Sequence, residues 1–217
     1  MKRFGILLAV QACLGVQLPA HAAQLHTLVL GEGGRPLPNV VVVAIPEDGQ
    51  LPAPKRTVEI VDQIDKEFVP YVKPVRVGSY VQFPNKDNIR HHVYSFSQPK
   101  KFELPLYSGT PSQPVLFDKP GVVKLGCNIH DWMLGYVYVT ETPYFGKTGI
   151  DGRVDLDQLP AGRYVARVWH PLMEGSETAT IKHIDLVDTA SSLEWKLKLK
   201  SEFRPRRTPL PNEPGYR

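Results

Sequence analysis

Residues 117–139 read FDKPGVVKLGCNIHDWMLGYVYV, and this stretch decides the fold. Asp118-Lys119-Pro120-Gly121 is a turn signal, because proline presets one backbone angle and glycine tolerates the left-handed region. Beyond it, Tyr136-Val137-Tyr138-Val139 alternates, with valines on one face and tyrosines on the other. That is the period-two pattern of a half-buried strand. Between these runs stand Cys127, His130 and Met133 at a spacing of Cys-x-x-His-x-x-Met. A loop pinned by a sheet at both ends aims such side chains at one point. Thiolate, imidazole and thioether form a soft donor set, which favours copper over magnesium or calcium. Two histidines and a cysteine in a plane, with a weak axial methionine, make a blue-copper site. A second histidine is therefore needed, and His91-His92 supplies one, just after the turn-rich Asn85-Lys86-Asp87-Asn88.

The chain's beginning bears on that cysteine. Lys2 and Arg3 precede an apolar run, and Ala20-His21-Ala22 is a small-x-small cleavage signal. Residues 1–22 read as a cleavable signal peptide, with export to the periplasm or beyond. The apolar run is too short and too interrupted for a transmembrane span, and no later segment approaches one. A lipoprotein reading at Cys13 has too short an apolar core before it. Export leaves Cys127 alone, so no internal disulfide forms. A free thiol in an oxidising compartment reacts unless it is buried or bound. Inert burial is a common fate of such a thiol, and the His and Met spacing argues for bound. Removing the leader lowers the formal charge from +4 to +2. A near-neutral domain with a basic tail is a weak argument for nucleic acid, and no nucleic-acid partner is expected.

The 21 prolines and 17 glycines argue against long helices and for short strands joined by turns. Strand patterns fall at Leu25–Leu30, Val40–Ile45, Thr57–Val61, Ser79–Phe83, His91–Phe96, Val115–Phe117, Val122–Leu125, Leu134–Thr140, Arg163–Trp169 and Leu193–Leu199. The fold class is all-β, a pair of sandwiches. The tail, residues 200–217, is rich in proline and arginine without an apolar pattern, and is expected to be disordered.

Residues 57–140 resemble a cupredoxin of the plastocyanin and amicyanin type. The resemblance lies in YVKPVRVGSYVQFPNKDNIRHHV, residues 71–93, similar to the strand leading to that family's first ligand. It lies also in the 117–139 hairpin, which has the family's short-loop ligand spacing. It implies a Greek-key β-sandwich at 54–142 holding one type 1 copper through His91, Cys127, His130 and Met133. His91 fits the family's His-x-Val register, and His92 then takes the place of a residue that braces the loop. His92 shares a face with Tyr94 and Phe96, which keeps it open as the competing ligand. The family's short loop usually carries a proline. Asn128, Ile129, Asp131 and Trp132 in its place imply a less rigid loop with a charged rim.

The flanks, GRPLPNVVVV at 34–43 and KTGIDGRVDLDQLPAGRYVARV at 147–168, resemble two pieces of a transthyretin-like or carboxypeptidase-regulatory-like sandwich. The expectation is one outer domain, 23–53 plus 146–199, into which the cupredoxin is inserted; a tandem arrangement is the alternative. Asp151, Asp155 and Asp157 lack the glycine and terminal glutamate of a calcium loop. No hydrolase triad, phosphate loop or paired carboxylates stand in a recognisable context, so the chain is not read as an enzyme. The resemblance implies periplasmic one-electron transfer with a redox partner such as a c-type cytochrome or a periplasmic dehydrogenase. A copper carrier or sensor, and an adhesion or carbohydrate-binding module using Tyr144 and Phe145, are the competing readings.

Overall fold

Val40 to Ala44 is an unbroken apolar run, and each of its residues is fully buried. A strand apolar on both faces must be covered on both, and the architecture supplies both covers. The structure is a computed structural model that describes residues 23–111, 113–187 and 190–201. The expected signal peptide, and all of the tail beyond Ser201, lie outside the described residues.

In chain order the strands are β1 (Ala23–Leu30), β2 (Val41–Pro46), β3 (Val58–Ile60), β4 (Asp62–Ile64), β5 (Glu67–Val69) and β6 (Val72–Arg76). There follow β7 (Ser79–Gln82), β8 (His91–Ser95), β9 (Phe102–Tyr107), β10 (Val115–Phe117), β11 (Gly121–Cys127) and β12 (His130–Thr140). The last are β13 (Phe145–Lys147), β14 (Arg153–Leu159), β15 (Gly162–Trp169), β16 (Lys182–Leu186) and β17 (Ser191–Lys196). The inner sandwich packs a sheet of order β6-β12-β11-β8-β9 against one of order β10-β7-β3, with β4-β5 as a separate hairpin. The outer sandwich packs β14-β1-β17 against β13-β2-β15-β16.

Each sandwich has its own core. Leu25, Val29, Val42, Leu156, Tyr164, Val168 and Trp195 belong to the outer one. Phe83, Val93, Phe117, Val123, Leu125, Cys127, Met133 and Val137 belong to the inner one. A third cluster joins them. Val41 and Val43, on the opposite face of β2 from Val42, meet Val72 and Tyr138, with Tyr136, Phe145 and Trp169 against them. The Tyr-Val alternation on β12 thus has two apolar destinations, valines inward and tyrosines onto this seam. The Trp169 ring lies 5.7 Å from that of Tyr136 and 5.4 Å from that of Tyr138.

β2 pairs along its length with β15, from Pro46 opposite Tyr164 to Val41 opposite Trp169, and its other edge pairs with β13. Its partners stand about a hundred positions downstream, with the whole inner sandwich between them in sequence. Arg76 holds the two connecting segments together. Its guanidinium donates to the carbonyls of Pro52, Ala53 (3.2 Å) and Glu141 (3.0 Å). The chain's entry into the inner sandwich and its exit are therefore adjacent.

Several strands differ from the sequence expectation. β6 and β9 carry Pro74 and Pro105 and are the two edges of the five-stranded sheet, where a missing ladder donor is tolerated. β14, absent from the strand patterns read above, is a regular strand with Leu156 buried and Asp155 and Asp157 exposed. β16 is an edge strand whose side chains are mostly exposed, so it has little apolar pattern to read. The strand expected at Leu193–Leu199 begins at Ser191 and ends at Lys196.

Candidate metal centre

The ligand hairpin is tighter than the sequence implied. β11 ends at Cys127, β12 begins at His130, and only Asn128 and Ile129 form the turn. Gly126 pairs with Leu134, but the next residue, Cys127, pairs with His130. Asp131, Trp132 and Met133 thus form a bulge on β12, and bulges re-aim side chains beside functional sites. Past the bulge, pairing resumes at Cys127 and His130, which close the two-residue turn. Behind the bulge, Gly135 admits Phe68 of the β4-β5 hairpin, where a Cβ would stand 2.8 Å from the Phe68 Cβ.

β8 brings the first histidine. Its alternation buries His91, Val93 and Ser95, and Val93 pairs with Cys127 on the neighbouring strand. His91 is 0% exposed, so both of its ring nitrogens need partners. Nε2 lies 2.7 Å from Asp87 Oδ2. Nδ1 lies 3.7 Å from Cys127 Sγ, and His130 Nδ1 lies 3.7 Å from the same sulfur. All three donor atoms fall within 4.8 Å of one another. Met133 is 1% exposed and packs in the same core cluster as Cys127. His92 belongs to the other face, where its Nε2 meets Glu103 at 2.8 Å.

Asp87, which the sequence did not single out, braces the centre in the way expected of His92. Its carboxylate accepts the backbone amides of Asp65 (2.7 Å) and Lys66 (2.9 Å). These two residues make the β4-β5 turn with φ of 53° and 61°, the doubly left-handed turn that matches strand twist. Asn85 holds the Asp87 loop in turn. Its side-chain amide donates to the Ile89 (2.7 Å) and Tyr107 (3.0 Å) carbonyls, and its Oδ1 accepts the Asp87 amide at 3.0 Å. Burial works to raise the Asp87 carboxyl, but hydrogen bonds from the Lys66 amide, His91 and the Asp65 amide hold it below its ordinary value. An ionised Asp87 accepts from Nε2–H, which leaves the Nδ1 lone pair of His91 facing the sulfur. His130 is held below the ordinary histidine value by burial, by His91 and by Lys66, against a weaker pull from Asp87. A neutral His130 is the ligand form.

This arrangement passes a simple geometric test for a metal. A nitrogen and a sulfur about 2.0 and 2.3 Å from one ion, at a tetrahedral to trigonal angle, lie about 3.5–3.8 Å apart. Both nitrogen–sulfur separations fall there. Substituting Asp87 tests the brace directly. Asp87→Ala is expected to weaken copper binding about 10–100-fold, read by competition with a chelator, with the far-ultraviolet circular dichroism unchanged.

No protein-family model matches the chain, and no curated protein is similar enough to match. Solved structures with similarity to part of it include an oxidised amicyanin variant, at 19% identity over 38% of this chain and 81% of that one, with a TM-score of 0.34. A purple cupredoxin from Nitrosopumilus maritimus has 23% identity over 39% and 99%, with a TM-score of 0.33. The copper-containing nitrite reductase of Thermus scotoductus has 25% identity over 52% of this chain and 28% of its own, with a TM-score of 0.36. These low scores describe a partial likeness. The description of the fold rests on the sheet order and on the cluster of one cysteine and two histidines at one end of the inner sandwich. This sandwich has a cupredoxin-like fold. Among the described residues, no helix is long and apolar enough to cross a membrane.

Proposed function

We propose that the protein is an exported one-electron carrier whose cupredoxin-like domain holds a single type 1 copper through His91, Cys127, His130 and Met133. The observation that carries this reading is the pair of imidazole Nδ1 atoms, each 3.7 Å from the buried Cys127 sulfur. Copper bound there would supply cycling between Cu(I) and Cu(II). The chain's own residues do the rest. β8, β11 and β12 hold the donors in a sheet, so they need little rearrangement when charge changes. Asp87 fixes the His91 tautomer, and the inner core around Cys127 and Met133 keeps water out. His130, half-buried, offers the exposed edge. Buried donors pinned in strands favour electron transfer over a carrier, which has to release its metal. Tyr144 and Phe145 pack against the outer core and the seam, which weakens the adhesion reading. The test is voltammetry of the copper-loaded chain. The reading requires a reversible one-electron wave with copper retained, and an irreversible wave with loss of metal sinks it.

Within the same proposal, the outer domain is residues 23–53 and 146–199, transthyretin-like in its sequence pieces, and 54–142 is inserted in it. Pairing of β2 with β13 and β15 and the Arg76 bridge support this division. A chain joining Ala53 to Gly146 through a short Gly/Ser linker is then expected to fold without copper. Residues 54–142 made alone are expected to bind copper with reduced thermal stability, having lost the cover over Tyr136 and Tyr138. Heat denaturation followed by circular dichroism checks both. An unfolded joined chain contradicts the insertion.

A further inference from the structure

The outward face of the five-stranded sheet is covered over only part of its width. Val122, Tyr136 and Tyr138 meet the outer domain. The rest of that face carries Tyr94 of β8 and Leu134 of β12, both paired to Gly126, with Phe96 just past the end of β8. Phe96 is 75% exposed, and its ring lies 5.0 Å from that of Tyr94. The phenol end of Tyr94 lies over Gly126, where a Cβ would stand 2.8 Å from the ring. The glycine that permits this precedes Cys127. At the other side, the Trp132 ring lies 5.1 Å from the ring of His130. The Trp132 indole nitrogen is buried and has no hydrogen-bond partner among the described residues. The ledge of Tyr94 and Phe96 thus stands beside Gly126 on the cysteine side of the metal centre, and Trp132 stands beside His130 on its histidine side.

Two lysines frame it. Lys124 is exposed on the outward face of β11 opposite Tyr136, and Lys101 is exposed just before the edge strand β9. Glu103, opposite Tyr94, is engaged by His92. We propose that this ledge is the docking face for a protein that exchanges an electron with the metal centre, and that the partner presents an apolar patch ringed by carboxylates. The proposal rests on the electron-transfer reading above. The ledge continues an interface already built on the same sheet face, where tyrosines and a tryptophan bury against the outer domain. An exposed phenylalanine beside a half-buried tyrosine, with lysines nearby, matches the composition of transient protein interfaces.

The test uses the full chain, isotope-labelled and loaded with Cu(I), titrated separately with an acidic and a basic soluble c-type cytochrome. The acidic cytochrome is expected to shift the amide resonances of Tyr94, Phe96, Lys124 and Leu134, with binding that weakens as salt rises. Phe96→Ser and Lys124→Glu are each expected to weaken that binding about fivefold or more, with the copper spectrum unchanged because both side chains are exposed. Shifts confined to residues 128–131, preference for the basic cytochrome, or no shift with either would overturn the proposal. So would self-association through the ledge, seen as shifts that depend on protein concentration alone. A chain that does not take up copper contradicts the proposed function instead. A chain that loads normally but docks elsewhere contradicts only this inference.

Discussion

Cys127→Ser is expected to abolish the intense visible absorption of the copper-loaded protein and to weaken copper binding by more than about 100-fold. Removing a group that merely orients a ligand already costs about 10–100-fold, and in the proposed site Cys127 is the donor itself. A serine hydroxyl is a hard, neutral donor that stays protonated at neutral pH, so it cannot replace a soft thiolate for copper. Serine is smaller than cysteine, but the sheet around residue 127 is held by its pairing to Val93 and His130. The variant therefore separates chemistry from folding. Chelator competition gives the affinity, and thermal denaturation of the metal-free proteins gives the control. A Cys127→Ser protein that keeps the same colour would remove the sulfur from the account.

The adjacent histidines are expected to separate just as sharply. His91→Ala removes a fully buried imidazole that fills the space between Asp87 and Cys127. It is expected to lose the copper spectrum, and added imidazole is expected to restore part of it by entering the space left. The Asp87 carboxylate then loses its histidine partner while keeping two backbone amides, so the fold survives at some cost. His92→Ala is expected to keep the spectrum, because His92 meets Glu103 on the outward face. Visible spectra of the two variants at equal copper loading check this. The reverse result moves the first ligand one residue along β8 and turns its faces over.

The site was more legible in the sequence than its support was. Cys127, His130 and Met133 are visible as spacing, because one turn fixes their separation. Choosing His91 over His92 needed the pleat, since adjacent residues take opposite faces of a strand and both registers fit the local pattern. Asp87 was hidden in a run that reads only as a turn. Its role depends on amides from Asp65 and Lys66, more than twenty residues away, and no local pattern encodes such a meeting. Fold elements divide in the same way. The Tyr-Val alternation of β12 and the valine run of β2 announce strands, but only the seam explains why both faces of each are apolar. β6 and β9 were masked by their prolines, which edge position permits. The three-residue bulge at Asp131–Met133 has no sequence signal beyond a missing proline, yet it sets how His130 and Met133 are presented.

The central claim is that His91, Cys127, His130 and Met133 make one copper site, and stepwise addition of Cu(II) to the full chain tests it most directly. Visible absorption and electron paramagnetic resonance are recorded at each step. The account predicts one intense thiolate-to-Cu(II) charge-transfer band that grows in proportion to added copper and stops at one equivalent, with a single paramagnetic species of narrow hyperfine splitting. A colourless complex whose paramagnetic spectrum is that of copper bound by nitrogen and oxygen alone would contradict it.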